Sequence, residues 1–297
     1  MMTSRPKGVR LFLRLLSCVR FDEVLVLQGA PLLGAIFSIG LINSQSVLAL
    51  VLLGAGSCFL VAHVFLLNDW SGIDGDLRDA NRSAGVFLNR GIRRSEILGL
   101  LLTLLVLSLV LFSQFGLVTL FIGLMIAIAS ALYSAPGSHF KGVPLLNSGL
   151  HLVGGLLHFL LGYSVFHVLD ARGVEIGCFF AAIFSAGHLT HEVRDFDADL
   201  WNGIKTNAVK FGKTRSFIAG FALFTLADAL LMVLAATGTV PHFLVLIAGL
   251  YPLHFYWSLR AMREGLTFES VRRLQVRYRA LYAGIGVIMV SSVLSSA

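Results

Sequence analysis

Nine apolar stretches restrict the fold of this 297-residue chain more than any other feature of its sequence. A helix needs about 20 residues to cross the hydrocarbon layer of a bilayer, since each residue advances its axis by about 1.5 Å. Only 13% of the residues are charged, compared with roughly 25% in soluble domains. We therefore predict an all-α integral membrane protein with nine transmembrane helices in a bundle, at residues 24–42, 47–67, 97–114, 116–135, 143–166, 174–191, 216–237, 240–259 and 280–296.

The third and fourth predicted spans are separated by a turn alone. Residues 97–133 contain no charge, yet a single helix of that length would be too long for one crossing. The polar and glycine residues at 113–116 supply a turn signal. A helical hairpin is therefore predicted there, which keeps the count at nine.

The beginning of the chain differs from the remainder because it is basic and only briefly apolar. Its apolar piece is broken by Arg14, which makes it a poor signal peptide. We predict that residues 1–20 form a basic amphipathic segment on the membrane surface and that residues 21–297 form a single polytopic membrane domain. The three cysteines have no ligand spacing, which indicates neither a disulfide framework nor a zinc site.

Basic residues give the orientation, because Lys and Arg concentrate on the cytoplasmic side of membrane proteins. With nine spans and a cytoplasmic N-terminus, Arg172 is the one basic residue of 23 that falls outside. The C-terminus is then non-cytoplasmic, and the expected location is a bacterial inner membrane. The net charge of +7 indicates attraction to anionic lipid, so the lipid bilayer is the predicted partner and nucleic acid is not.

An acidic segment, HEVRDFDADLWNGIKTNAVKFG at residues 191–212, follows the sixth span. On a helix that continues into it, His188, His191, Asp195 and Asp199 lie along one face. The two aspartates predict a divalent-metal site, because Mg²⁺ is commonly shared between one or two carboxylates and substrate phosphates. The alternative is a solvated loop whose aspartates face water.

A second acidic segment follows the second span and contains Asn68, Asp69, Asp74 and Asp76. Asp69 and Asp76 share a helical face with Asn68 beside them, although a polar loop at the membrane surface is an equal alternative. Two such segments on the cytoplasmic side favour a site, because ionisable groups near a membrane interior tend to mark function. They lie four spans apart, as in a duplicated four-helix unit.

Cations and histidines complete the candidate site. Lys141, Lys205 and Arg82 could bind a diphosphate, although Lys141 in a cytoplasmic loop is also typical of topology alone. Tyr133 is either a site residue or an interfacial aromatic. The histidines, including His151 and His191, are predicted to line a cavity where a polar acceptor is held or deprotonated. Interhelical hydrogen bonding is the alternative, and no third ligand supports a transition-metal site.

These motifs resemble those of the UbiA-type intramembrane prenyltransferases, which carry NDxxDxxxD after the second helix and DxxxD after the sixth. RDFDADLWNGIKTNAVKFG is similar to the second motif, and YSAPGSHFK is similar to the tyrosine-to-lysine loop of the family. The matching positions are Asp195, Asp199, Gly203, Lys205, Thr206, Tyr133, Pro136 and Lys141. In the first motif Asn68, Asp69 and Asp76 match, whereas Gly72 replaces the middle acid.

The resemblance implies a bundle around a central cavity that is open to the cytoplasmic face and to lipid. A polyprenyl diphosphate would bind there through Mg²⁺ held by both Asp-rich segments, and its prenyl group would pass to a small acceptor such as an aromatic ring. Prenyl cyclisation, phosphosugar transfer to a lipid phosphate, and lipid binding or transport without chemistry are the alternatives. Neither the acceptor nor the oligomeric state follows from the sequence.

Gly72 raises a local question about the first segment. In an unbroken helix Asp74 would lie about 140° around the axis from Asp69 and could not share its metal. Glycine costs about 1 kcal/mol relative to alanine inside a helix and readily ends one. We therefore predict that the second helix ends or kinks near Gly72 and that Asp74 replaces the missing metal ligand.

Overall fold

A computed structural model describes residues 13–78, 83, 86–135 and 140–296 of the chain. Helices dominate these residues, and no strand occurs in the described ranges. We number the α-helices in chain order: α1 (Phe21–Val26), α2 (Gly29–Ser38), α3 (Ser44–Asp76), α4 (Arg94–Ser113), α5 (Leu117–Ser134), α6 (Leu146–Tyr163), α7 (Ala171–Arg194), α8 (Phe196–Trp201), α9 (Asn207–Phe211), α10 (Lys213–Ala236), α11 (Tyr251–Arg263) and α12 (Phe268–Ser296). Short 3₁₀ helices lie at Phe87–Arg90, Phe140–Gly142 and His242–Leu250.

Seven helical segments are long and apolar enough to cross a membrane, which confirms the predicted all-α membrane architecture. They are Phe21–Ser38, Ser44–Asp76, Arg94–Ser113, Leu117–Ser134, Ala171–Arg194, Lys213–Ala236 and His242–Arg263. The predicted fifth and ninth spans are also helical, as α6 and α12, but they are not among these seven. The exact count of nine therefore stays a prediction.

The helix boundaries follow local sequence signals. The predicted turn at residues 113–116 is confirmed, since α4 ends at Ser113 and Gly116 adopts a φ of +104°. At the start of α3, Asn43 and Ser46 form a reciprocal capping box. Asp170 caps α7 by accepting a hydrogen bond from the Gly173 N–H, and this bond lowers the pKa of Asp170.

The predicted amphipathic segment is described only from residue 13 onward, and residues 1–12 lie outside the described residues. Arg14 Nη2 donates to the carbonyl oxygens of Arg90 and Gly91 at 3.1 and 2.5 Å. Arg90 Nη1 donates in return to the carbonyl oxygen of Ser17 at 2.8 Å. This part of the segment therefore packs against the connection that precedes α4.

Helix α7 lies at the centre of the bundle and packs extensively on α6 and α10. Close approach is possible because glycines occupy the crossings: a Cβ at Gly155 would lie 2.8 Å from the carbonyl oxygen of Phe180. A Cβ at Gly162 would lie 1.7 Å from the carbonyl oxygen of Pro31, which ties α6 to α2. Tight packing around α6 and α7 fixes the helix ends that carry the polar residues.

Helix α3 continues through Gly72 to Asp76, so the predicted helix end near Gly72 is wrong. The reason is tertiary packing, because Ile73 is only 1% exposed and belongs to an apolar cluster with Phe87 and Ile92. Burial of an isoleucine contributes about 1.5–3 kcal/mol, which exceeds the cost of about 1 kcal/mol for glycine in a helix. The Ser71 hydroxyl also donates to the carbonyl oxygen of Ser134 on α5.

Candidate active site

The first acidic segment lies at the C-terminal end of α3, and its carboxylates point in different directions. Arg20 binds Asp69 through two hydrogen bonds, of which the one from Nε measures 3.0 Å. Asp74 instead pairs with Arg94 at 2.5 Å, and its side chain is 75% exposed. Asp74 therefore lies on another face of α3, paired with Arg94, and its role as the replacement metal ligand stays a prediction.

Asn68 and Asp76 keep the positions expected from the helical spacing. The Ser134 hydroxyl at the end of α5 donates to Asn68 Oδ1 at 3.4 Å. A Cβ at Gly72 would lie 3.6 Å from Asp76 Oδ2, so this carboxylate folds back over the glycine. The absence of a side chain at Gly72 therefore leaves room beside the Asp69 face of α3.

The second acidic segment is nearly the continuous helix that was predicted. Asp195 interrupts it between α7 and α8. Its backbone N–H still donates to the His191 carbonyl oxygen, and its carbonyl oxygen accepts from the Asp199 backbone N–H, both at 2.9 Å. Arg194 binds the Asp195 carboxylate through two hydrogen bonds of 2.7 and 3.0 Å. Asp199 is only 6% exposed. The Asp195 carboxylate is thus bound by its neighbour in the chain, and Asp199 is buried.

Two close approaches bring the predicted pieces together. Gly75 at the end of α3 lies beside the Asn202 side chain, which a Cβ there would meet at 3.5 Å. A Cβ at Gly142 would lie 3.8 Å from the Lys205 nitrogen, so the Phe140–Gly142 helix adjoins the connection after α8. Lys141 is half-buried and Lys205 is exposed. Arg82 and Pro136 lie outside the described residues.

A network of histidines joins this region to the bundle. The His151 and His188 rings stack with centroids 3.7 Å apart, and Tyr133 meets the His151 ring edge-on at 4.9 Å. His191 lies elsewhere, because Arg279 donates to its Nε2 at 3.0 Å and also pairs with Glu23 at 3.0 Å. The structure therefore brings Tyr133 and His151 together but separates them from His191.

Two acids were missed by the sequence analysis. Glu192 is 4% exposed and lies 3.1 Å from His188, four residues earlier on the same helical face. Asp228 lies inside α10, where its Oδ1 accepts a hydrogen bond from the Tyr282 hydroxyl at 3.2 Å. The i,i+4 pair and the lone acid of an apolar span were the signals that could have revealed them.

A groove of about 560 Å³ opens between α1 and the start of α12, lined by Arg20, Asp22, Glu23, Phe268, Glu269 and Arg272. Through Arg20 it adjoins Asp69, and through Glu23 and Arg279 it adjoins His191. Within the described part of the chain, no three His, Cys, Asp or Glu side chains form a metal-binding group. The arginines on Asp69 and Asp195 occupy those carboxylates instead.

The model of the UbiA prenyltransferase family matches residues 30–270. The chain belongs to this family. Since the match covers most of the chain, the helices that carry both acidic segments are family features. No curated protein matches the chain.

Solved structures of UbiA homologues share this fold. A UbiA homologue from Archaeoglobus fulgidus bound to GPP and Mg²⁺ is 20% identical, with a TM-score of 0.68 over 95% of this chain and 99% of that chain. A digeranylgeranylglyceryl phosphate synthase is 17% identical, with a TM-score of 0.73 over 96% and 99%. An apo UbiA homologue from Aeropyrum pernix K1 is 14% identical, with a TM-score of 0.71 over 91% and 98%.

Proposed function

We propose that this UbiA-family protein transfers a prenyl group from a polyprenyl diphosphate to a small acceptor inside the membrane. The observation that carries the proposal is the approach of the two acidic helix ends at Gly75 and Asn202. Homologues of the same fold bind GPP or DMAPP together with Mg²⁺. We further propose that residues 21–297 act as one polytopic domain with a cytoplasmic N-terminus, in a bacterial inner membrane.

The donor chemistry of these residues fits Mg²⁺, which prefers carboxylate and amide oxygens and keeps several waters. Asn68, Asp69, Asp76, Asp195 and Asp199 would hold the ion between them. Bound Mg²⁺ would neutralise the charge that develops on the leaving diphosphate. Arg20, now paired with Asp69, is a long side chain that is 42% exposed and can turn toward phosphate oxygens.

The other predicted site residues are assigned to the diphosphate or to the acceptor. Lys141 and Lys205, on the adjoining connections, bind the diphosphate and offset its charge. The sequence assigns the same role to Arg82, which lies outside the described residues. Tyr133 and His151 lie beside the first acidic segment through Ser134 and form the acceptor side. His191 contributes indirectly by accepting a hydrogen bond from Arg279.

The test uses full-length protein in liposomes with radiolabelled GPP and an extract of membrane lipids. Mg²⁺-dependent release of diphosphate together with a new labelled lipid supports prenyl transfer. Diphosphate release with a labelled hydrocarbon and no acceptor adduct identifies cyclisation. GPP that stays intact at all Mg²⁺ concentrations overturns the proposal in favour of a protein without this chemistry.

A further inference from the structure

A buried carboxylate, Glu192, is the centre of a polar network that joins α6, α7 and α9. Asn147 Nδ2 donates to Glu192 Oε1 at 2.5 Å, and Asn207 Nδ2 donates to the same oxygen at 3.3 Å. Since a buried carboxylate is costly unless it is hydrogen-bonded, this concentration of donors fixes the position of Glu192.

The carboxylate faces a pair of stacked imidazoles. His188 Nε2 lies 3.1 Å from Glu192 Oε1, at an ion-pair distance but without the alignment of a hydrogen bond. The His188 ring covers the His151 ring, with 9° between their planes. Glu192 therefore places negative charge behind a histidine pair whose other side faces Tyr133.

The tautomer of His151 follows from its hydrogen bond. Its Nδ1 lies 2.8 Å from the carbonyl oxygen of Asn147, and a carbonyl oxygen can only accept. Nδ1 thus carries the hydrogen, and Nε2 presents a lone pair. The described residues place no hydrogen bond on Nε2, and the His151 side chain is only half-buried. His151 has the chemistry of a base that a small molecule can reach.

His151 is also close to the first acidic segment. Tyr133, which contacts the His151 ring, is followed by Ser134, and the Ser134 hydroxyl donates to Asn68. His151 therefore lies between the end of α3, which carries Asn68, and α7, which carries His188 and Glu192. A base in this position is beside the proposed diphosphate site and not at the opposite end of the bundle.

We propose that His151 Nε2 accepts the proton of a hydroxyl acceptor, an alcohol or a phenol, with His188 and Glu192 as positioning residues. This inference rests on the prenyl transfer proposed above. The bond from prenyl C1 to the diphosphate oxygen breaks, and its electron pair leaves with diphosphate. A bond forms between C1 and the acceptor oxygen, and the acceptor proton passes to His151. The Glu192 carboxylate stabilises the resulting imidazolium across His188.

His158 provides a matched control on the same face of α6. Its Nδ1 makes the same type of hydrogen bond, to the carbonyl oxygen of Gly154 at 2.8 Å. Its Nε2 is buried without a partner among the described residues, and its ring lies against Phe184. His158 therefore shares the local hydrogen bond of His151 but lacks both the stacked histidine and access to a small molecule.

The experiment uses full-length protein in liposomes with GPP, Mg²⁺ and two lipid-like acceptor probes, a 4-alkylphenol and a 1-O-alkylglycerol. We expect His151→Ala to lower prenylation of the probe by about 10²–10⁴ fold. Added imidazole should restore part of the rate in His151→Ala but not in His158→Ala. Glu192→Gln should lower kcat at least tenfold while the KM for GPP stays within twofold. GPP binding should survive in all three variants.

Each outcome supports or overturns the inference. Imidazole rescue confined to His151→Ala supports it. Unchanged prenylation in His151→Ala, or equal rescue of His158→Ala, overturns the role of His151 as the base. Wild-type protein that binds GPP and prenylates neither probe overturns the hydroxyl acceptor alone. Wild-type protein that does not bind GPP overturns the proposed function together with the inference.

Discussion

The two acidic helix ends both carry closely spaced aspartates but are supported in different ways. Asp195 is held by Arg194, its neighbour in the chain, whose Nη1 also donates to Gln275 of α12 at 2.8 Å, and Asp199 is only 6% exposed. Asp69 and Asp74 are held by arginines from distant parts of the chain, Arg20 and Arg94. The Asp195 carboxylate is therefore bound by an adjacent residue, whereas the aspartates of the first end depend on how α1 and α4 dock against α3.

The largest expected effect concerns the second acidic helix end. Asp199→Asn should lower the rate of diphosphate release by at least about 100-fold, because a lost metal ligand removes several kcal/mol of transition-state stabilisation. Gel filtration should still give a folded protein, since Asn has the volume of Asp. Activity within threefold of wild type would place the metal elsewhere.

The first end offers a pair of aspartates two residues apart that should behave differently. Asp76→Asn should lower turnover at least tenfold and raise the Mg²⁺ concentration needed for half-maximal rate. Asp74→Asn should leave both within twofold, because Asp74 is 75% exposed and pairs with Arg94. Equal losses in the two variants would mean that α3 opens at Gly72 when the substrate binds.

Arg194 and Arg20, which bind aspartates of the two helix ends, should differ in their contribution to the free energy of unfolding. Arg194→Gln should lower the free energy of unfolding by about 1–3 kcal/mol, since it leaves the partly buried Asp195 carboxylate without its two hydrogen bonds. Arg20→Gln should cost less than about 1 kcal/mol, because Arg20 is 42% exposed. Thermal unfolding in detergent compares the variants. A larger loss for Arg20→Gln would mean that the arginine pair of the first acidic helix end contributes more to stability than that of the second.

The smallest expected effect comes from Gly72. Gly72→Ala should stabilise the protein by up to about 1 kcal/mol, because α3 is regular there and a Cβ would meet Asp76 Oδ2 at an ordinary 3.6 Å. The same thermal measurement checks it. A clear loss of stability would indicate that glycine is needed for a non-helical conformation.

Much of this architecture could be predicted from sequence because it depends on local pattern. Apolar length predicted the membrane helices, and the turn signal at residues 113–116 divided α4 from α5. The spacing of His188, His191, Asp195 and Asp199 predicted a helical stack that Asp195 alone interrupts. Family motifs then indicated which loops meet.

The errors concern contacts between residues far apart in the chain. Gly72 suggested a break from propensity alone, but Ile73 is buried against residues beyond α3 and keeps the helix intact. Glu192 is held in the bundle by hydrogen bonds from Asn147 and Asn207, which lie on other helices. The spacing placed His191 on the same helical face as His188, yet its Nε2 accepts a hydrogen bond from Arg279 of α12. No local pattern encodes these partners.

The most direct test of the central claim is a double-mutant cycle on GPP binding at a fixed Mg²⁺ concentration. The protein is compared with Asp69→Asn, Asp199→Asn and the double variant, and the Kd for GPP is measured in each. If both helix ends hold one metal–diphosphate group, the losses should be non-additive, with a coupling energy above about 1 kcal/mol. Losses that add within about 0.5 kcal/mol would mean that the two ends bind independently and would contradict a shared site.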